Sequence, residues 1–169
     1  MLITVTGLPR SGTAFVSMLL NLNEFCVAYH ELAVYDKNWR ERLTLYETAY
    51  VGDCSTYGFL EKAQMASDVR IYIASDVVQS FESATVACRK ELDIDAMYKL
   101  RDMADEWAVE HEAMVINRYD VFTLEGCREI WKTCFEEPMH DEKVEQLIKL
   151  NIQHHEPHIR FGKGTVLEL

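Results

Sequence analysis

Gly7 and Gly12 stand five positions apart, with Leu8, Pro9, Arg10 and Ser11 between them and Thr13 and Ala14 following. A short apolar, β-branched run, Leu2–Thr6, precedes this segment, and apolar residues at helical spacing come after it. A buried strand that turns through such a loop into a helix leaves the first backbone N–H groups of that helix unpaired, at the positive end of its dipole. That arrangement is a site for an anion, and a phosphate-bearing ligand is the first expectation. Arg10 is the only charged residue between Leu2 and Asn23, and it falls in the loop. It either meets the charge of a ligand or pairs with a neighbour, and the loop alone leaves both open.

The two glycines fit the first part of the phosphate-loop pattern G-x-x-x-x-G-K-[ST], whose lysine and final hydroxyl grip a magnesium-bound triphosphate. Thr13 and Ala14 occupy those last two positions, which counts against an ordinary ATPase or kinase. The same eight residues, Gly-Leu-Pro-Arg-Ser-Gly-Thr-Ala, closely resemble the 5′-phosphosulfate loop G-x-P-[RK]-[ST]-G-T-T of the sulfotransferases that use 3′-phosphoadenosine 5′-phosphosulfate (PAPS). Only Ala14 departs from that pattern, and with it goes one hydroxyl toward the 5′-phosphate. The resemblance implies a PAPS donor, released as PAP, with Pro9, Arg10, Ser11, Gly12, Thr13 and Ala14 lining its 5′ end and no metal required. In sulfuryl transfer, negative charge grows on the bridging oxygen of the departing nucleotide, and a cation placed there counts for more in the transition state than before it. Arg10 is the candidate for that role.

A second strand–turn–helix pattern follows at Val69–Ala74 and Ser75–Ser83, with Ser75 as the expected N-cap. It resembles the 3′-phosphate segment R-D-P-x-D-V-x-x-S-[FY] of the same family, with Asp76, Val77, Ser80 and Phe81 in register. The resemblance implies that Ser80 bonds the 3′-phosphate. The family's arginine position holds Tyr72 and its proline position Ala74, so a cation must come from elsewhere; Arg89, Lys90, Arg160 and Lys163 are the candidates. Lys163 and Gly164 match a late Lys-Gly segment that closes this subsite in the family. Read as residues alone, Ser80 is a polar position on an amphipathic helix and Lys163 part of a solvated tail.

An acceptor hydroxyl or amine must lose its proton as it attacks, so a carboxylate or imidazole should face Arg10 across the sulfur. His30 and Glu31 both follow the second expected strand, and alternation along a strand turns them to opposite faces. Glu31 falls where Golgi-type relatives in the family carry a catalytic glutamate; cytosolic members use histidine, which keeps His30 in reserve. Either residue also fits a structural role, Glu31 pairing with Lys37 or Arg40. Asp53 and Tyr57, in Gly52–Phe59, are placed to line the acceptor side. His154, His155 and His158 have no carboxylate partner at helical spacing, so an exposed cluster is expected rather than a metal site.

The elements that hold these residues alternate along the chain. Strands are expected over Leu2–Thr6, Phe25–Tyr29, Ala49–Asp53, Val69–Ala74 and Met114–Arg118. Helices are expected over Gly12–Leu22, Lys37–Thr48, Tyr57–Ala66, Asp76–Arg89, Asp93–Glu112, Leu124–Phe135 and Asp141–Gln153. Met97, Leu100, Ala104 and Trp107 form one packing stripe, and Val144, Leu147, Ile148 and Ile152 another. The pattern is that of an α/β chain: one three-layer domain of the P-loop type, its central, mainly parallel sheet flanked by helices.

At 169 residues and 49% hydrophobic content the chain suits one domain with a real core. A net charge of −11 opposes nucleic-acid backbones and anionic membranes as partners, so an anionic cofactor needs a local positive pocket. Five cysteines, an odd number with no C-x-x-C, suggest reduced thiols, and with no signal-like or membrane-length apolar run the expected setting is cytoplasmic. The expectation is therefore a sulfotransferase acting on a small-molecule or macromolecular acceptor, its groove open or completed by a second copy in a homo-oligomer. Two alternatives stay open: a catalytically silent PAP- or nucleotide-binding protein of the same fold, and a P-loop nucleotide kinase.

Overall fold

The computed structural model describes residues 1–44, 48–56, 58–60, 66–88 and 92–150. Five strands are present: β1 (Leu2–Gly7), β2 (Cys26–His30), β3 (Tyr50–Ser55), β4 (Val69–Ala74) and β5 (Met114–Asn117). Seven α-helices accompany them among the described residues: α1 (Thr13–Leu20), α2 (Leu32–Tyr35), α3 (Trp39–Thr44), α4 (Val77–Cys88), α5 (Ile94–Glu110), α6 (Leu124–Cys134) and α7 (Asp141–Lys149). Every expected strand is there. The short α2 and the 3₁₀ turn Asp120–Phe122 were not anticipated, because neither is long enough to carry a helical period. The expected helix over Tyr57–Ala66 and the end of the one reaching Gln153 lie largely outside the described residues, as do His154, His155 and His158.

All strand pairs are parallel and the order is β2-β3-β1-β4-β5. β1 is central, and its side chains sort by period two. Ile3 and Val5 join Val16, Leu19 and Leu20 of α1 and Ile130, Val144 and Leu147 of α6 and α7 in the main core. Thr4 and Thr6 turn to the opposite face, where Tyr72 packs with Ala104, Trp107 and Ala108 of α5. Leu32, Trp39 and Leu43 of α2 and α3 cover Val51. Helices thus lie on both faces of the sheet, as an all-parallel sheet requires.

The connections decide where a ligand can enter. From β1 the chain runs through α1 to β2 on one side of the sheet order; from the adjacent β4 it runs through α4 and α5 to β5 on the other. Right-handed crossovers in opposite directions put α1 and α5 on opposite faces, and the connections leaving the paired carboxyl ends of β1 and β4 diverge. A crevice at such a switch point is where open α/β sheets hold ligands. The loop after β1 and the segment after β4 are the two expected anion sites, and they border this crevice.

Candidate functional site

The loop is built from inside outward. Leu8 is fully buried against Val77 and Met97, which anchors it beneath the start of α4. Ser11 N–H bonds back to the Leu8 carbonyl at 3.0 Å, and Arg10 adopts φ 68°, a left-handed conformation that costs a non-glycine residue energy. A Cβ on Gly7 would stand 2.5 Å from Ser11 Oγ and 2.8 Å from the Ile73 carbonyl oxygen, so glycine is what lets the loop fold back over β1 and β4. Gly12 is the N-cap of α1 at φ 117°, with no side chain capping the helix. Ser11 and Thr13 are buried, and Ser11 Oγ has no hydrogen-bond partner among the described residues. Pro9 and Ala14 are half-buried on either side of them. α1 therefore starts at the carboxyl end of β1 with no side chain capping its first N–H groups.

Three chemical groups surround this loop. Arg10 Nε donates to Ser83 Oγ of α4 at 3.2 Å, so its guanidinium spans from β1's loop to β4's helix. Thr13 Oγ1 and His30 Nε2 lie 3.2 Å apart, joining the start of α1 to the end of β2. His30 Nε2 in turn lies 3.7 Å from Glu31 Oε1. The strand-alternation argument separates His30 from Glu31, yet the structure brings them together. The reason is local: Glu31 leaves the extended conformation at φ 55° and ψ 36° as the N-cap of α2, and the period-two rule stops at His30.

Glu31 is held hard. Its Oε1 accepts the Thr56 N–H at 2.8 Å and its Oε2 accepts the Ser55 hydroxyl at 3.2 Å, clamping β2's end to β3's, with His30 rather than a neighbouring surface cation as its ion-pair partner among the described residues. Only 8% of the residue is exposed. Burial lowers the pKa of His30 below its ordinary value and Arg10 lowers it further, with Glu31 pulling the other way, so the ring is neutral at pH 7 and able to accept a proton. Asp53, one strand-face neighbour from Ser55, is 4% exposed and its Oδ1 has no hydrogen-bond partner among the described residues. Burial first and Glu31 second push its pKa up to about 7.

The β4 side departs from expectation. Asp76, not Ser75, caps α4: its Oδ1 accepts the Gln79 N–H at 2.9 Å, while Ser75 Oγ pairs with Ser80 Oγ at 3.0 Å. Aspartate competes well for this position because its charge complements the helix dipole. Ser80 is fully buried, and Tyr72 points to the other face, where its hydroxyl donates to Asp105 Oδ1 at 2.8 Å. Lys163, Arg89, Lys90, Arg160 and Tyr57 lie outside the described residues. Ser83 escaped the sequence reading; its place three residues after Ser80, on the same helical face, is the signal that points to it.

Elsewhere, a cleft of about 160 Å³ lined by Phe25, Trp131, Glu137, His140 and Lys143 lies at the amino ends of the strands, away from the loop. No group of three or more His, Cys, Asp or Glu among the described residues is placed to hold a metal ion, and none of their helices is long and apolar enough to cross a membrane. Cys26, Cys54, Cys127 and Cys134 are buried free thiols, and burial pushes each of their pKa values up. In comparisons with protein-family models, curated proteins and solved structures, the chain matches none.

Proposed function

We propose that this chain is a sulfotransferase that moves a sulfuryl group from PAPS to a hydroxyl or amine, the nucleotide's 5′ end resting on the loop from Pro9 to Ala14. The observation that carries the reading is the Arg10–Ser83 bond beside the Thr13–His30–Glu31 chain. One guanidinium and one neutral imidazole flank a loop that offers backbone N–H groups to an anion. As the sulfur–oxygen bond to the nucleotide breaks, Arg10 meets the charge that develops on the leaving oxygen. As the acceptor's oxygen or nitrogen attacks, its proton passes to the His30–Glu31 pair. His30 is the better acceptor atom, since both oxygens of Glu31 already receive hydrogen bonds and the imidazole is the more exposed of the two side chains, 22% against 10%. Glu31, the candidate base from the residues alone, holds and polarises His30.

Titration of PAP, AMP and ATP, followed by transfer from PAPS to a broad acceptor panel, tests the reading. Selective PAP binding with sulfate transfer supports it. Binding without turnover would leave a silent nucleotide-binding protein, a reading favoured by the commitment of Tyr72 to Asp105 and by the missing hydroxyl at Ala14. Magnesium-dependent ATP binding would point instead to a nucleotide kinase.

A further inference from the structure

Two carboxyl groups, Glu31 and Asp53, are buried next to one another, and the hydrogen-bond donors around them are shared unequally. Glu31 receives the Thr56 N–H and the Ser55 hydroxyl. Among the described residues Asp53 Oδ1 receives no hydrogen bond and Asp53 makes no ion pair. Asp53 and Ser55 share one sheet face; the register sets Asp53 beside Thr4 of β1 and Tyr29 of β2, and Ser55 beside Thr6. Thr6 Oγ1 on that face is likewise buried without a partner among the described residues. Among the described residues neither buried carboxyl group has a Lys or Arg ion-pair partner, and two such carboxylates do not both stay ionised cheaply, which favours one proton on the pair. Donors stabilise the ionised partner, and the donors are on Glu31.

We infer that Asp53 is a positioning residue: it carries the proton of this buried pair, so that Glu31 stays an anion held against His30. The inference rests on the proposed role of His30 and Glu31 in accepting the acceptor's proton. The surroundings fit. β1 brings the hydroxyls of Thr4, which pairs with Ser67, and Thr6 to this face; β4, on the far side of β1 from β3, sets Arg70 beside Thr4 and Tyr72 beside Thr6; β2 brings Tyr29, while His30, in register with Cys54, starts from the opposite face and Glu31 follows it at the strand end. Arg10 acts on His30 and is not among the charges that shift Asp53. When Asp53 loses its proton, a second negative charge develops behind Glu31 and pushes against the contact that orients the imidazole. The Asp53 pKa of about 7 places that event near neutrality.

The experiment has two arms. In the first, the His30 ring protons of the full chain are followed by NMR from pH 4.5 to 9. His30 should show its own protonation below neutrality and a second, smaller step near pH 7, and Asp53→Asn should abolish only the second. A single-step curve in the unmodified chain overturns the inference even if the variant does not fold, as does a second step that survives in a folded Asp53→Asn. In the second arm, kcat/KM for transfer from PAPS should fall on the alkaline side, approaching tenfold per pH unit, and Asp53→Asn, whatever its rate at pH 6, should lack that fall. Superimposable pH profiles would overturn the assignment. If the NMR step is present and Asn-sensitive but no sulfuryl transfer occurs at any pH, the coupling of Asp53 to His30–Glu31 stands and the sulfotransferase reading falls.

Discussion

Arg10 is the cation of the loop, held at a left-handed φ of 68° with its Nε on Ser83 Oγ. Arg10→Ala should leave the fold intact and lower turnover by ~10²-fold or more, with a smaller effect on nucleotide affinity, as loss of a contact made mainly in the transition state does. Steady-state kinetics with PAPS checks this, and a normal kcat would remove Arg10 from the mechanism. His30 and Glu31 can be separated in the same assay. His30→Gln removes the accepting nitrogen and should cost ~10²–10⁴-fold in kcat. Glu31→Gln keeps an oxygen for the Thr56 N–H and should cost less while sparing PAP affinity. The reverse order of losses would return the base to Glu31. If affinity falls and turnover per bound donor does not, Glu31 is structural.

The elements explain why the site was only partly readable. β1, its loop and α1 were legible because Leu2–Thr6 is a β-branched run, the glycines mark the turn and the helix begins at Thr13, one residue from the expected start. The strand ends at β4 and β5 were legible for the same reason. The meeting of His30 with Glu31 was not, since it depends on one residue leaving extended geometry at a four-residue helix whose sequence has no period. The β4 segment shows a different limit: sequence gives the residue at position 72 but not which face it takes, and the period of two turns Tyr72 toward α5. The edge of β2 holds a further element-scale device. Asn21, at the end of α1, donates to the Ala28 carbonyl at 2.8 Å and accepts the Ala28 N–H at 2.9 Å, so one side chain closes the outward backbone groups of an edge strand. Asn21→Leu leaves both groups unpaired and should destabilise the chain by about 1–3 kcal/mol in urea unfolding. An unchanged midpoint would mean that water replaces the amide without cost.

On the scale of the whole molecule, the sheet gathers charge at its carboxyl end that has opposite consequences for stability as pH changes. The chain carries a net charge of −11, and the crevice concentrates two of its carboxyl groups beside one imidazole and one guanidinium. His30 has its pKa lowered by folding, so the native state binds fewer protons than the unfolded chain; its contribution is present above the ordinary histidine value and is lost as pH falls through the lowered one. Asp53 runs the other way. Its pKa rises on folding from 3.8 to about 7, so the native state binds more protons in that interval, and stability declines as pH rises from about 4 to 7. Above pH 7 Asp53 is ionised in both states and its contribution to the slope ends. Asp53→Asn, which is neutral throughout, should therefore match the unmodified chain near pH 4 and exceed it by up to a few kcal/mol at pH 8, about 1.4 kcal/mol accruing for each pH unit of separation. Urea unfolding of both proteins at pH 4.5, 6 and 8 reads this directly. Parallel stability curves across that range would mean that Asp53 is ionised already at the acid end, and that its burial is compensated by a partner other than its own proton.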